Sequence, residues 1–499
     1  MILGSGRTVR LVPGLGSVIL SPPNVPGTYQ YSRIVDGPDY EEVRGVTCDS
    51  SGNMYITGSC RGSPIIKDQD GNTLGTFMTS SSNAIFVCKF NSSGTYQYTR
   101  IIDGDVFQAS FSVTCDSSDN MYIAGIYIGT SIIKDQDGTT LGTFPTTNEN
   151  GTAFVSKFDS SGTYQYSRII DSVNGYDQGS SVTCDSSGNM YLAGVYNQTP
   201  AIKDQDGNTL GTLPASSSNA AFVCKFDSSG NYLYSRIVDE TSYDQGRGVT
   251  CDSSGNMYLA GAYTGSSIIK DQNGNTLGTL PESSSNAAFV SKFDSSGTYQ
   301  YARIVDSAGN DIGYGVACDS SGNMYFTGSY TDATPTIKDQ TNTTLGTLPV
   351  SAGFGAVFVS KFDSSGTYKY TRIVDTTDYD YGSSVTCDSS GNMYITGFYS
   401  GTLIIKDQIN TTLGTLPVST EFAAFVCKFD SSGNYLYSRI VDSAGNDIGY
   451  GVSCDSSLNM YFAGIYIGTP NIKDQDGTTL GTLPPSINGN GTAFVCKFS

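Results

Sequence analysis

Four kinds of residue in this 499-residue chain could do chemistry, and most of them recur at fixed spacing. Carboxylates and amides gather in DQDGN, Asp68 to Asn72, and Asp135, Asp204, Asp271 and Asp474 open similar stretches. Asp68, Asp70 and Asn72 offer oxygens at alternate positions, the pattern from which calcium loops are built. The spacing is shorter than an EF-hand needs, its closing Glu is missing, and two copies read DQTNTT and DQINTT. A polar hairpin tip is therefore expected, with calcium the one cofactor the residues hint at. Tyr and carboxylates meet in a second set of segments, among them DSVNGYDQG, DETSYDQGR and DTTDYDYG. Tyrosine rings beside carboxylates can hold sugars, so Tyr243, Asp244, Tyr379 and Tyr381 are candidate ligand contacts.

Cysteines are the third kind. They stand at 48, 115, 184, 251, 318, 387 and 454, always within close variants of CDSSGNMYITG. No C-x-x-C pair exists, and seven equivalent copies lie too far apart to cross-link, so packing is the expected role. Cys88, Cys224, Cys427 and Cys496 share a position with Ser156, Ser291 and Ser360, which reads as selection for size. Cys60 stands alone, in what reads as a loop. Cations are the fourth kind. Of 27 Lys and Arg, 21 fall at three repeated positions: the Lys of FVxKF, the Lys of KDQ and the Arg of YSRIVD. A group needed once for catalysis would break such symmetry. Asp49 and its copies are expected to cap turns or pair with these cations.

Absences narrow the choice. The chain has no His, which removes Ser-His-Asp and Cys-His catalysis and His-ligated zinc. It has no Trp, so the WD-type signature is missing. A net charge of −19 argues against nucleic acid as a partner. No apolar run is long enough to insert into a membrane.

These residues must be positioned by short strands. One copy reads as SVTCD, NMYLAGVY, AFVCKF and NYLYSRIVD, joined in part by DSSG turns that suit hairpins. Four antiparallel strands copied seven times describe a propeller. The chain enters its repeat on a fourth strand, GTYQYSRIVD (27–36), and leaves on a third, GTAFVCKFS (491–499). Each end supplies what the other lacks, so the two should pair and close a ring. The expected fold is all-β: a seven-bladed β-propeller spanning 27–499, with four-stranded blades and the insert IIKDQDGNTLGT as an extra small hairpin on each. Seven methionines at one register, Met54 to Met460, should fill the space between blades. Two turns, DSSDN and DSSLN, place Asp119 and Leu458 where Gly stands elsewhere, which predicts either left-handed strain or an altered turn. Strand polarity should put the DSSG turns on one face, with the fourth-to-first loops and the KDQ inserts on the other.

The words FVxKF, D-S-S-G, Y-x-Y-S-R-I-V-D and G-x-x-V-x-C-D-S-S-G-N-M-Y-x-x-G resemble the SBBP family of propeller repeats. The resemblance covers residues 27 to 499. It implies a propeller and a secreted or surface setting, and no shared catalytic set.

Residues 1–26 have no repeat partner. TVRLV and SVIL read as apolar strand segments ahead of the stiff SPPNVP. An arm outside a complete ring could fold back onto its own propeller, or be donated to a neighbour through Val9, Leu11, Val18 and Leu20, growing homo-oligomers or filaments. The first expectation is thus a non-enzymatic assembly protein, extracellular or on a cell or virion surface. The alternative is a carbohydrate-binding or adhesive module that takes glycans on its Tyr- and Asp-rich loops.

Overall fold

The computed structural model describes residues 27–499 apart from 80–82, 148–149, 241–242 and 332–333. Seven antiparallel sheets are arranged as blades around a central channel, each blade numbered here from its cysteine, Cys48 in the first to Cys454 in the seventh. Blade 3 runs outward as Gln178–Cys184, Met190–Gln198, Ser216–Phe226 and Tyr232–Asp239. Val, Ile, Phe and Tyr at alternate positions give each sheet two apolar faces, so the core is seven wedges between blades rather than one centre. Met54, Ile56 and Phe86 of blade 1 pack on Tyr461, Ala463 and Val495 of blade 7. The methionine register fills these wedges as expected.

The ring closes through the termini. Tyr29–Asp36 pairs antiparallel with Thr492–Phe498, with Ile34 opposite Phe494, and Ser499 N–H donates to Thr28 O at 2.9 Å across the nick. The arm residues Val9, Leu11, Val18 and Leu20 lie outside the described residues.

The insert corrects the sequence expectation twice. Each hairpin does not join its own blade. It extends the preceding one, so blade 3 gains Ile268–Asp271 and Thr276–Thr279 from the next repeat and every sheet has six strands. The reason is an exposed edge: the fourth strand offers a free ladder, and the insert pairs along it. An ion pair fixes the register, with Lys270 on Asp239 at 2.6 Å, and Arg236 donates to Gln272 Oε1 at 3.0 Å. Because the hairpin runs back along that edge, with Asp271 opposite Arg236, its tip ends on the DSSG face and not beside the fourth-to-first loops.

The DSSG face is held by one arrangement, copied. Asp252 accepts from Ser254 N–H, Asn256 N–H and Nδ2, and the buried Tyr258 hydroxyl, with Lys292 at 3.9 Å. Lys292 also donates to Ser364 O of the next turn, and Arg236 Nε to Gly297 O at 2.6 Å. These charge-assisted bonds account for the 21 repeated cations. Asp119 and Leu458 keep the left-handed backbone, at φ 63° and 66°. Asp119 gains from its side chain, which accepts Ser50 N–H and Oγ–H at 2.9 Å, whereas Leu458 is strained.

All 12 cysteines are free. Cys88, Cys224, Cys427 and Cys496 are buried against Thr99, Ser235, Ser438 and Ser32, where Ser156 and Ser360 use Ser167 and Thr371 instead. Cys60 is not in a loop: it ends the buried strand Met54–Cys60, because its side chain continues the apolar face.

Candidate functional site

The innermost strand of every blade carries a β-bulge. In blade 4 the register breaks between Gly246 and Gly248, so Arg247 has no partner on the neighbouring strand. The same break releases Arg44, Phe111, Ser180, Tyr314, Ser383 and Tyr450 in the other blades. A bulge re-aims one side chain and twists its strand, and here all seven line the channel. The glycine that ends MYxxG makes it feasible. A Cβ on Gly261 would collide with Gln245 O, and one on Gly194 with Gln178 O. No other residue allows the inner strand so close.

Above the bulges the channel opens into a cavity of about 490 Å³ on the face of the fourth-to-first loops. Among the described residues its wall has no carboxylate. It holds Arg44 and Arg247, six aromatic rings, and the amides of Gln178 and Gln245. Below, the cavity narrows to a shaft of about 220 Å³ lined by the bulge residues and by Val46 and its copies. Further down, Cys48 and its copies are half-buried. They pack on the wedges without being fully enclosed, and burial raises their thiols well above the usual range, so they stay protonated.

The four loop candidates separate. Tyr243 and Tyr381 line the cavity. Tyr379 lies outside it, 52% exposed and stacked on Phe354 at 4.7 Å and 13°. Asp244 faces inward, where its carboxylate accepts Glu240 N–H at 3.0 Å and Ser267 Oγ–H at 2.7 Å. Glu41, Asp177, Asp311, Asp380 and Asp447 occupy the same buried place, and blade 2 has Gln108 there. Burial pushes Asp244 up to about 7 and Asp311 up to about 8, and the fourth-strand aspartates beside them act in the same direction. These acids hold loops shut. The metal candidates are likewise occupied: Asp68 Oδ1 accepts Asp70 N–H and Asn72 N–H, and Oδ2 accepts Asn72 Nδ2–H at 2.9 Å. Among the described residues no three His, Cys, Asp or Glu converge as a metal site, and no helix is long and apolar enough to cross a membrane.

Sequence reading passed over Arg44, Phe111, Arg247, Tyr314 and Tyr450. A signal was there: aligned on V-x-C, the residue two before the Val reads R, F, S, R, Y, S, Y in a chain that otherwise repeats itself.

No family model matches the chain, so the SBBP repeat type is not confirmed. An uncharacterized WD repeat-containing protein of Acanthamoeba polyphaga mimivirus is 26% identical over 234 residues, which is 43% of this chain. The chain spans only 17% of that relative's length. A WD repeat-containing relative fits a propeller. Among solved structures, a protein of unknown function from Bacteroides caccae is similar at 8% identity and a TM-score of 0.26, over 64% of this chain and 92% of that one. A rhamnogalacturonan lyase is similar at 11% identity and a TM-score of 0.24, over 83% and 90%.

Proposed function

We propose that this propeller is a non-catalytic interaction module that binds saccharides at the mouth of its channel. One observation carries the reading: the bulge register is a place inside the repeated strands where the copies differ, and the bulge aims those side chains into a cavity. Rings supply flat apolar faces for sugar C–H groups, and Gln178, Gln245 and Ser383 supply hydrogen-bond partners for hydroxyls. Among the described residues of the mouth no nucleophile stands beside a base, which favours binding over turnover. Glycans are met outside cells and on surfaces, so the proposed setting is extracellular, on a cell or on a virion.

The test is a saccharide array probed with the labelled full-length chain. Binding that disappears in Tyr381→Ala is the expected result. A chain that binds no saccharide, or binds as well after that change, would sink the reading.

Self-association through residues 1–26 is a second proposal, supported by a ring that closes with residues 27–499 alone. Light scattering on the full chain should give multiples of 52.8 kDa that revert to one in Val9→Asp/Leu11→Asp. A concentration-independent monomer would end it.

A further inference from the structure

Arg44 and Arg247 occupy the same register but not the same chemistry. Arg44 is held on three sides. Its Nε donates to Glu42 Oε1 at 2.7 Å, and its guanidinium lies 5.3 Å from the Phe111 ring and 5.2 Å from the Tyr450 ring. Its charge is balanced and its faces are covered.

Arg247 is held on two, by one ring and one neutral amide. Tyr314 lies 5.2 Å from the guanidinium, and the bulge residue of the preceding blade is the small Ser180. Its Nε and Nη2 both donate to Gln245 Oε1, a neutral acceptor. Among the described residues it makes no ion pair, and the cavity wall offers no carboxylate to make one. A guanidinium carries five N–H groups, so most of this one remains available to the cavity.

From Arg247 a run of rings leads outward across one sector. Tyr314 meets Tyr381 at 4.5 Å, and Tyr381 stacks on Phe398 at 5.4 Å and 13°. Phe398 meets Phe422 at 4.9 Å, Phe422 meets Tyr379 at 6.3 Å, and Tyr379 stacks on Phe354. The outer two are 52% and 64% exposed. The run joins blades 5 and 6, and among the described residues no other pair of blades carries one: Phe398, Phe422 and Phe354 stand where blade 4 has Ala262, Asn286 and Ser285. The molecule as a whole is strongly acidic, so an unbalanced cation with a ring path is a local exception to its field.

We propose that the ligand at the mouth is an acidic saccharide, a uronate whose carboxylate is held by Arg247 and whose further sugar rings lie along the path from Tyr314 to Phe354. This rests on the mouth being the saccharide site. A carboxylate matches the planar fork of the guanidinium. A nucleic acid would bring more anionic charge than one arginine can offset against a net −19.

The test is calorimetry with the full-length protein, an oligogalacturonate and its carboxyl-reduced, neutral counterpart. The acidic chain should bind at least about tenfold tighter, lose about tenfold in Arg247→Gln, and weaken as salt is raised. Phe398→Ala should weaken a long oligomer more than a monosaccharide uronate. Asp206→Asn, at a hairpin tip on the opposite face, is the control and should change nothing. Equal binding of the acidic and neutral chains, insensitive to salt, overturns the acidic ligand yet leaves the saccharide site standing. Binding of neither by the wild type, together with an empty array, overturns both. Should Arg247→Gln fold poorly, the comparison of the two ligands and the salt series still decides.

Discussion

The two faces of this propeller are built from the same repeat and follow opposite rules. On the DSSG face, each blade copies one hub: an aspartate that gathers two backbone N–H groups, an Asn, a Tyr and the Lys of its own blade, while that Lys and the fourth-strand Arg each donate to a turn carbonyl of the next blade. On the other face, the bulge places one side chain per blade where it touches little of its own sheet, and that residue varies. Positions that carry the ring's stability are repeated because each does the same job seven times. The mouth positions are excused from that job, and so can differ.

That contrast can be broken from either side. The largest effect is expected at a hub. Asp252→Ala leaves the buried Tyr258 hydroxyl without its acceptor and Lys292 without its counter-ion, and should cost about 3 kcal/mol in urea unfolding. A loss no greater than that of a surface change would mean the hubs are not what holds the blades.

Next comes pH. Glu41, Asp177, Asp244, Asp311 and Asp447 are buried acids raised to about 7 or 8. Their folded values lie above the unfolded ones, so the fold favours the protonated form. That contribution is complete below the unfolded value near 4 and is lost as pH climbs through 7 to 8. Tm should therefore fall between about pH 5 and about pH 8.5, and Asp311→Asn should flatten the slope, as Gln108 already does for blade 2. A Tm that rises over that range would contradict the buried, protonated assignment. Below about pH 4 the sign reverses, because turn acids such as Asp68, lowered by their hydrogen bonds, then lose their partners.

Leu458→Gly should gain about 1 kcal/mol by relieving the left-handed strain. Asp119→Gly should not, since it also forfeits two bonds to Ser50; equal gains would show that those bonds are worthless. Smallest of all, Ser180→Ala in the mouth should shift stability by less than about 0.5 kcal/mol. A larger loss would show that the bulge residues are structural after all.

Much of the fold was legible because it was written seven times. Period, turns, strand alternation and the complementary ends all pointed to a closed ring, and Met54 and Cys88 sit where their neighbours predict. The swap of the inserts was not legible: a hairpin that extends its own sheet and one that extends the sheet before it have the same local sequence, and only the free edge at Asp239 and the ion pair from Lys270 decide. The site was half legible. Tyr243 and Tyr381 were reached through their loops, while Asp244 looked like a surface acid because burial leaves no mark in a polar word. Arg247 was hidden inside a strand, because a bulge leaves no local mark beside the repeated V-x-C and only the register shows which side chain it turns out.

The borrowed hairpin also bears on how such a molecule is inherited. A stretch of DNA that duplicates one repeat copies a blade together with the clasp for the blade before it. Each new copy thus arrives with one half of a joint and meets the matching half already in place, wherever in the repeat the break falls. Every seam between blades is therefore latched in the same way, the one at the nick included, and none of that latching asks anything of the residue at the bulge.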